Sequence, residues 1–295
     1  MRYPVAGKTV LVTGPARGIG EATARRLAAR GARLSLVGME PERLAALAAE
    51  LGPGHAWFEC DVTDQAALDR AVAGTVEVLG GIDAVVANAG IASNGTVAAT
   101  PVEALARTIE VNLIGVVRTV SATLLHVAER RGYYLLVSSA AAFSALPAMS
   151  AYAASKVGVE HFGNVLRLEV SHRGVGVGVA HPSWIDTDLV RDQQRELDTF
   201  RRTLRSLPGP FGTVTPVEEC AAAFVEGIER RRRRVFVPRS LAAFAALRQL
   251  LVGPLAERLS ERQRRRMVPR LEEEVRALGR SFGEHSVETG EGGTA

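Results

Sequence analysis

Lys8-Thr-Val-Leu-Val-Thr13, Gly14-Pro-Ala-Arg-Gly18-Ile-Gly20 and Glu21-Ala-Thr-Ala-Arg-Arg-Leu-Ala-Ala-Arg30 follow one another without interruption near the start of the chain. The first run is apolar and β-branched over the length of a strand, the second is a glycine-rich turn, and the third carries good helix formers. Strand, turn and helix in this order open a β-α-β unit. Glycines at 14, 18 and 20 permit a tight turn and let backbone come close to an anion, with the N–H groups of the helix N-terminus facing it. The spacing is G-x-x-x-G-x-G, which differs from the G-x-G-x-x-G dinucleotide fingerprint. An isolated glycine cluster is more often a plain turn, but one between a strand and a helix favours a phosphate-binding role.

Outward from this stretch, the same alternation continues. Strands are expected near 8–13, 33–37, 55–59, 82–87, 133–138, 175–180 and 234–237, with helices near 18–30, 41–51, 64–79, 103–130, 151–172 and 216–230. Several strands are continuous apolar runs, such as Ile82-Asp-Ala-Val-Val-Ala87, as a parallel sheet covered on both faces requires. With 295 residues, 47% of them hydrophobic, the chain can bury a full core. The expected fold is α/β: a single Rossmann-type doubly wound parallel sheet of about seven strands, helices on both faces, and a helical C-terminal extension. The expected division is a catalytic domain over 1–238, an extension over 239–282 and a disordered tail over 283–295. Ligands of such sheets bind beyond the C-terminal strand ends, and Thr13, Asp61, Asn88 and Ser139 each follow an expected strand.

Tyr152 and Lys156 lie four apart in an expected helix, and so share a face. A neighbouring ammonium favours the phenolate, which brings a side chain that titrates near ~10 toward a working pH. Lys8 and Lys156 are the only lysines among 36 basic residues, so Lys156 reads as a position that needs a compact ammonium instead of a guanidinium. Ser139 ends the run Tyr133-Tyr-Leu-Leu-Val-Ser138 and offers a hydroxyl nearby.

Taken together, these residues make the chain resemble the short-chain dehydrogenases/reductases over roughly residues 7–237. Thr13-Gly14-x-x-x-Gly18-Ile19-Gly20 looks like the family's cofactor turn, Asp61-Val62 like its adenine contact, and Asn88-Ala89-Gly90 like its fourth-strand element. Asn112, Ser139, Tyr152 and Lys156 fall where the catalytic tetrad falls, and Pro182 and Thr187 align with contacts to the nicotinamide amide. The resemblance implies an NAD(P)-dependent oxidoreductase that interconverts a secondary alcohol and a ketone by hydride transfer, with Tyr152 as general acid and base. It implies that Lys156 holds the nicotinamide ribose and lowers the Tyr152 pKa, that Ser139 binds the substrate oxygen, and that Asn112 anchors a water serving Lys156. An Asn that merely joins two helices is the plainer alternative for Asn112. The different-class alternative is a catalytically silent nucleotide-binding regulatory protein of the same fold.

Cofactor choice turns on the end of the second strand, where an acid would bind the ribose 2′-OH of NAD and an Arg the 2′-phosphate of NADP. Leu36-Val37-Gly38-Met39 has no acid there, and Arg17 stands in the glycine turn, although Glu40 follows. NADP(H) is therefore favoured, with NAD(H) the alternative. In His181-Pro-Ser-Trp-Ile-Asp-Thr187, Ser183 replaces a family glycine, which puts the loop backbone in doubt if a positive φ is needed. Trp184 is a candidate wall of the substrate pocket or ordinary packing under a lid. Residues 189–212 look like that lid. Ala140-Ala-Ala-Phe143 and Ala145-Leu146-Pro147 offer an apolar approach beside Ser139, so the substrate is expected to be lipophilic.

From Arg230 onward the chain has fifteen Arg against eight Glu, so this part carries +7 and the rest −3 of the net +4. One explanation is peripheral contact with anionic lipid; the plainer one is a helical extension packed over the substrate lobe or an interface, with its arginines solvated or paired. Nucleic acid is not an expected partner, because no aromatic platform accompanies the charge. Two cysteines, Cys60 and Cys220, fit a reducing compartment, and with no apolar signal segment or run long enough to cross a bilayer the expected location is cytoplasmic. No metal site is expected, and His181 reads as a loop or supporting residue. Relatives pair through the helices at 103–130 and 151–172, so a homodimer or homotetramer acting on a small molecule is expected.

Overall fold

The structure is a computed structural model that describes residues 3–207, 209–248 and 253–284. Seven strands, β1 (Thr9–Thr13), β2 (Arg33–Gly38), β3 (Ala56–Glu59), β4 (Ala84–Ala87), β5 (Tyr133–Val137), β6 (Gly176–Pro182) and β7 (Arg234–Val237), form one sheet in the order β3-β2-β1-β4-β5-β6-β7. Every pairing is parallel. The order reverses between β1 and β4, which creates the crevice at the strand ends where ligands of such sheets bind.

Side chains of a strand alternate between faces, and here both faces are core. Val10 and Val12 pack with Leu34 and Leu36 against α1 (Gly18–Ala28), α2 (Pro41–Leu51) and α9 (Val217–Glu229). Leu11, Val85, Tyr134 and Leu136 point the other way and pack with α3 (Gln65–Leu79), α5 (Gly115–Glu129) and α6 (Ser150–Val170). The buried tyrosines complete their polar ends locally. The Tyr134 hydroxyl meets Thr123 Oγ1 at 2.9 Å, and Tyr133 donates to the Arg232 carbonyl at 2.8 Å.

The helix expected over 103–130 is continuous but not uniform. α4 (Val102–Ile109) passes through a π-helical turn at Glu110–Ile114 into α5. The run Val102–Glu129 contains a window with a mean hydropathy of 1.5, long and apolar enough to span a bilayer, which corrects the expectation that no such stretch exists. Its buried face lies on β4, α3 and α6, so it is a core helix.

Beyond β6, the segment expected to act as a lid is helical, with α7 (Asp188–Glu196) and α8 (Asp198–Ser206). The extension supplies α10 (Leu241–Ala246) and α11 (Pro254–Leu278). α11 lies across the lid: Leu271 and Val275 pack on Leu197, and the Glu274 carboxylate accepts from Thr199 N at 3.0 Å and Thr199 Oγ1 at 2.7 Å. Thr96 Oγ1 donates to Glu272 at 2.7 Å, and Arg280 pairs with Glu196 at 2.7 Å. Of the expected tail, Gly283 and Glu284 are described, with the Glu284 N–H donating to Glu196 at 3.2 Å. The remainder of that tail, 285–295, lies outside the described residues.

Candidate active site

The glycine turn closes β1 onto α1. Gly14 sits at φ +64°, and a Cβ at Gly20 would lie 2.1 Å from the Gly14 carbonyl oxygen and 2.6 Å from Asn88 Nδ2. Only glycine fits there without moving the turn. Thr13 Oγ1 accepts from Asn88 N at 3.0 Å and Ala89 N at 3.1 Å, while Asn88 Nδ2 donates to the carbonyls of Thr13 at 3.1 Å and Gly14 at 3.0 Å. These bonds fasten the β4 end to the turn. Thr13 is thereby buried behind the wall, whereas Gly14, Arg17, Gly18, Ile19, Asn88, Ala89 and Gly90 line the cavity. No side chain caps α1, so its first N–H groups face a concave, backbone-lined floor that fits a pyrophosphate. Gly20→Ala is expected to cost about 1–3 kcal/mol by overpacking and to weaken cofactor binding about 100-fold through displacement of the turn. Melting and a cofactor titration check it; undiminished affinity would detach the turn from binding.

Further along the cavity, Asp61 accepts from Thr63 N and Oγ1 at 2.8 Å each and from Arg107 at 2.8 Å. Burial pushes its carboxyl up, but the Arg107 and Thr63 bonds together hold it below its ordinary value. Val62, Pro182 and Thr187 line the same cavity. Cys60 is also in the wall, its thiol pushed up to about 12 mainly by burial, which makes it a poor nucleophile. Arg17 holds Glu40 with two bonds, Nη2 to Oε2 at 2.5 Å and Nε to Oε1 at 3.2 Å. Sequence spacing gave no sign that these two residues are partners.

At the other end stand the four expected catalytic residues. The π-helical turn sets Asn112 fully inside the protein, where its Oδ1 accepts from Ile91 N at 2.8 Å and its Nδ2 donates to Ile91 O at 2.9 Å and Ser155 Oγ at 3.2 Å. Lys156, 3% exposed, donates to the Val137 carbonyl at 3.0 Å and stands 5.6 Å from the Tyr152 ring centre. Burial pulls its ammonium down to about 8. Tyr152 is half-buried; burial raises its phenol, and a hydrogen bond with Ser139 opposes the rise. In this geometry the Ser139 hydroxyl eases ionisation of Tyr152. Ser139 Oγ accepts from Ala141 N at 3.2 Å and lies 3.4 Å from the Pro182 carbonyl.

The sequence profile of the family described as short chain dehydrogenase matches residues 8–198. The chain belongs to that family. An uncharacterized oxidoreductase of Myxococcus xanthus (strain DK1622) is 32% identical to this short-chain dehydrogenase over 262 residues, covering 87% of the chain and 98% of the relative. A 3-oxoacyl-[acyl-carrier-protein] reductase of Bos taurus is 31% identical over 221 residues, covering 74% and 91%. A solved short chain dehydrogenase/reductase from Burkholderia phymatum, in complex with NAD, shares the fold with a TM-score of 0.73 at 22% identity, covering 83% of this chain and 94% of that one.

The expected pocket residues of this short-chain dehydrogenase divide. Ser139 and Trp184 line the cavity, and Trp184 Nε1 donates to the Phe211 carbonyl at 2.7 Å with its ring edge-on to Phe200 at 5.2 Å. Phe143 does not line it. It is 3% exposed and packs among His181, Phe211 and Phe236, because the short 3-10 turn at Ala140–Phe143 carries it behind the wall. Ser183 needs no positive φ, so the exchange for glycine leaves its loop unstrained. Sequence reasoning missed Met149, Val190, Gln193 and Phe211 as lining residues. Val190 and Gln193 face inward on α7 three apart, a helical spacing that shows only once this segment is known to be a helix.

Proposed function

We propose that this short-chain dehydrogenase is an NAD(P)-dependent oxidoreductase that interconverts a lipophilic ketone and its secondary alcohol, with Tyr152 as general acid and base. The observation that carries the reading is the convergence of Tyr152, Ser139 and a buried Lys156 on one apolar-walled cavity beyond the strand ends. A bound nicotinamide cofactor supplies or accepts the hydride. The residues of the chain hold and move the proton. With its pKa raised by burial, the Tyr152 phenol keeps its proton at neutral pH and can donate it to a carbonyl oxygen. Ser139 can donate a second hydrogen bond to the same oxygen, where charge develops. Lys156 lies against Gly90, and its ammonium is placed to hold ribose hydroxyls and to stabilise the phenolate once formed. The side chain of Asn112 is committed to Ile91 and Ser155, which supports a positioning role. Titration with NADH and NADPH followed by a panel of ketones and alcohols tests the reading; binding of neither cofactor would bring forward a silent, regulatory protein.

The Arg17–Glu40 pair bears on cofactor choice. The preference for NADP(H) in the sequence rests on the missing acid at the end of the second strand and on Arg17 outweighing Glu40, but the carboxylate already holds the guanidinium. A 2′-phosphate would meet the charge of Glu40, whereas a 2′-OH can donate to it, which supports NAD(H) as the better cofactor. Glu40→Gln is expected to raise the NADPH to NADH ratio of kcat/KM by about 10-fold, roughly 1.4 kcal/mol. A ratio unchanged by the substitution would remove the pair from the argument.

Leu125, Val157 and Leu168 are large, apolar and exposed on α5 and α6, which supports pairing of protomers through those helices. The contacts of α11 with the lid support the packed-extension explanation of the basic C-terminal region over the lipid one, with Arg262, Arg265, Arg266 and Arg270 on its exposed sides.

A further inference from the structure

A second, smaller cavity of about 50 Å³ adjoins the first. Leu146, Met149, Trp184 and Gln193 line both, so these side chains form a shared partition. The far walls are Leu197, Phe200 and Leu204 from the lid and Met267 and Leu271 from α11. Well-packed cores avoid such space, because an unfilled apolar cavity forfeits dispersion contacts along its lining. Methionine on two sides adds a lining that can adapt to an irregular guest.

Asn94 provides an independent sign of a ligand. It is 2% exposed, belongs to the wall of the second cavity, and its Nδ2 has no hydrogen-bond partner. Its Oδ1 accepts from Gln193 Nε2 at 3.2 Å, and its backbone is pinned on both sides: the N–H donates to the Ser281 carbonyl at 2.6 Å, and the carbonyl accepts from Thr100 Oγ1 at 3.0 Å. A buried amide held this firmly and left without an acceptor is costly unless a guest supplies one.

We infer that the second cavity is an annex for the tail of the substrate: a short apolar end of about two or three carbons bearing an oxygen acceptor, on a chain which extends from the reacting carbon at Tyr152 past Trp184 to lie under α11. The inference rests on the ketone–alcohol reading above. It gives the C-terminal extension a task, since Met267 and Leu271 lie outside the 8–198 stretch that the family profile matches. Gln193 couples the two cavities by touching Asn94.

Two measurements on the full chain test it, and their failures differ. With Trp57→Phe, Trp184 is the remaining tryptophan, and its emission reports alkyl ketones from four to about ten carbons without any turnover. Kd is expected to fall about 4-fold for each methylene that enters the annex, until it is full. A Kd independent of length overturns the annex whether or not chemistry occurs. In steady-state assays over the same series, Met267→Trp fills the annex and is expected to abolish the gain with length while leaving the shortest ketone within about 2-fold. Equal loss at every length would instead assign Met267 a purely structural role and overturn the proposal. Asn94→Ala is expected to lower kcat/KM about 10-fold for an oxo ester and to spare the plain ketone of equal length; equal effects on both would overturn the acceptor part. Length-dependent binding without turnover of any ketone would leave the annex standing and refute the ketone–alcohol reading.

Discussion

Tyr152→Phe is expected to lower kcat by about 10²–10⁴-fold while cofactor affinity stays within about 2-fold. The substitution removes one oxygen from a half-buried ring and keeps the ring that packs beside Lys156. What disappears is the proton that the phenol can give to a carbonyl oxygen, or take from an alcohol as the phenolate. Ser139 remains, but its hydroxyl is already engaged with Ala141 N and near the Pro182 carbonyl, and an aliphatic alcohol is a far weaker acid than a phenol. Steady-state rates in both directions and a fluorescence titration with NADH or NADPH separate the two effects. A variant that keeps a tenth of the wild-type kcat would sink Tyr152 as the general acid and base.

Lys156→Met should do two opposite things: lower turnover about 100-fold or more, and make the free protein more stable at pH 7. Burial pulls the ammonium from 10.5 to about 8. At about 1.4 kcal/mol per pKa unit, the folded state bears roughly 3 kcal/mol for keeping this charge away from water. Methionine removes that cost and loses the bond to the Val137 carbonyl, worth about 1 kcal/mol, so a net gain of about 1–3 kcal/mol is expected. The sign follows from proton binding. Below pH 8 both folded and unfolded states hold the proton and the penalty is complete. Between about 8 and 10.5 the unfolded chain holds it and the folded one does not, so wild-type stability gains on the variant as pH rises. Melts of both proteins at pH 7 and pH 10 decide the matter. A variant less stable at pH 7, or a difference that does not narrow toward pH 10, would contradict the burial argument. A variant that is more stable at pH 7 and slower in turnover would indicate that the site keeps a destabilising charge because catalysis needs it.

Much of this was legible in the sequence because it was written in local patterns. The first β-α unit, the apolar runs of the parallel strands and the four-residue step from Tyr152 to Lys156 each encode their geometry within a few positions. The sites that escaped depend on encounters between distant segments. Arg17 and Glu40 meet because β1 and β2 are neighbours in the sheet, which places the residues after both strands side by side. Asn94 and Ser281 meet only because α11 crosses the α7–α8 segment and returns the chain to the loop after β4. Phe143 was misplaced because a 3-10 turn does not keep the alternation of the strand before it. The apolar length of 102–129 was underestimated because Glu103, Arg107, Glu110 and Arg118 punctuate it in the sequence, although a window within it stays apolar enough to span a bilayer.

The π-helical turn at Glu110–Ile114 has a consequence for how this protein can change. An α-helix advances about 100° per residue, and one surplus residue in a turn shifts everything beyond it by that angle. α4 and α5 are therefore out of phase with each other, and the jog aims Asn112 at Ile91. Substitutions around the turn can be absorbed, since no one side chain creates the offset. A single-residue deletion within 110–114 cannot be, because it would bring the two helices back into phase and swing either the α4 face off the core or Asn112 away from the site. What directs this asparagine is a count of residues, so in this segment length is guarded more strictly than composition.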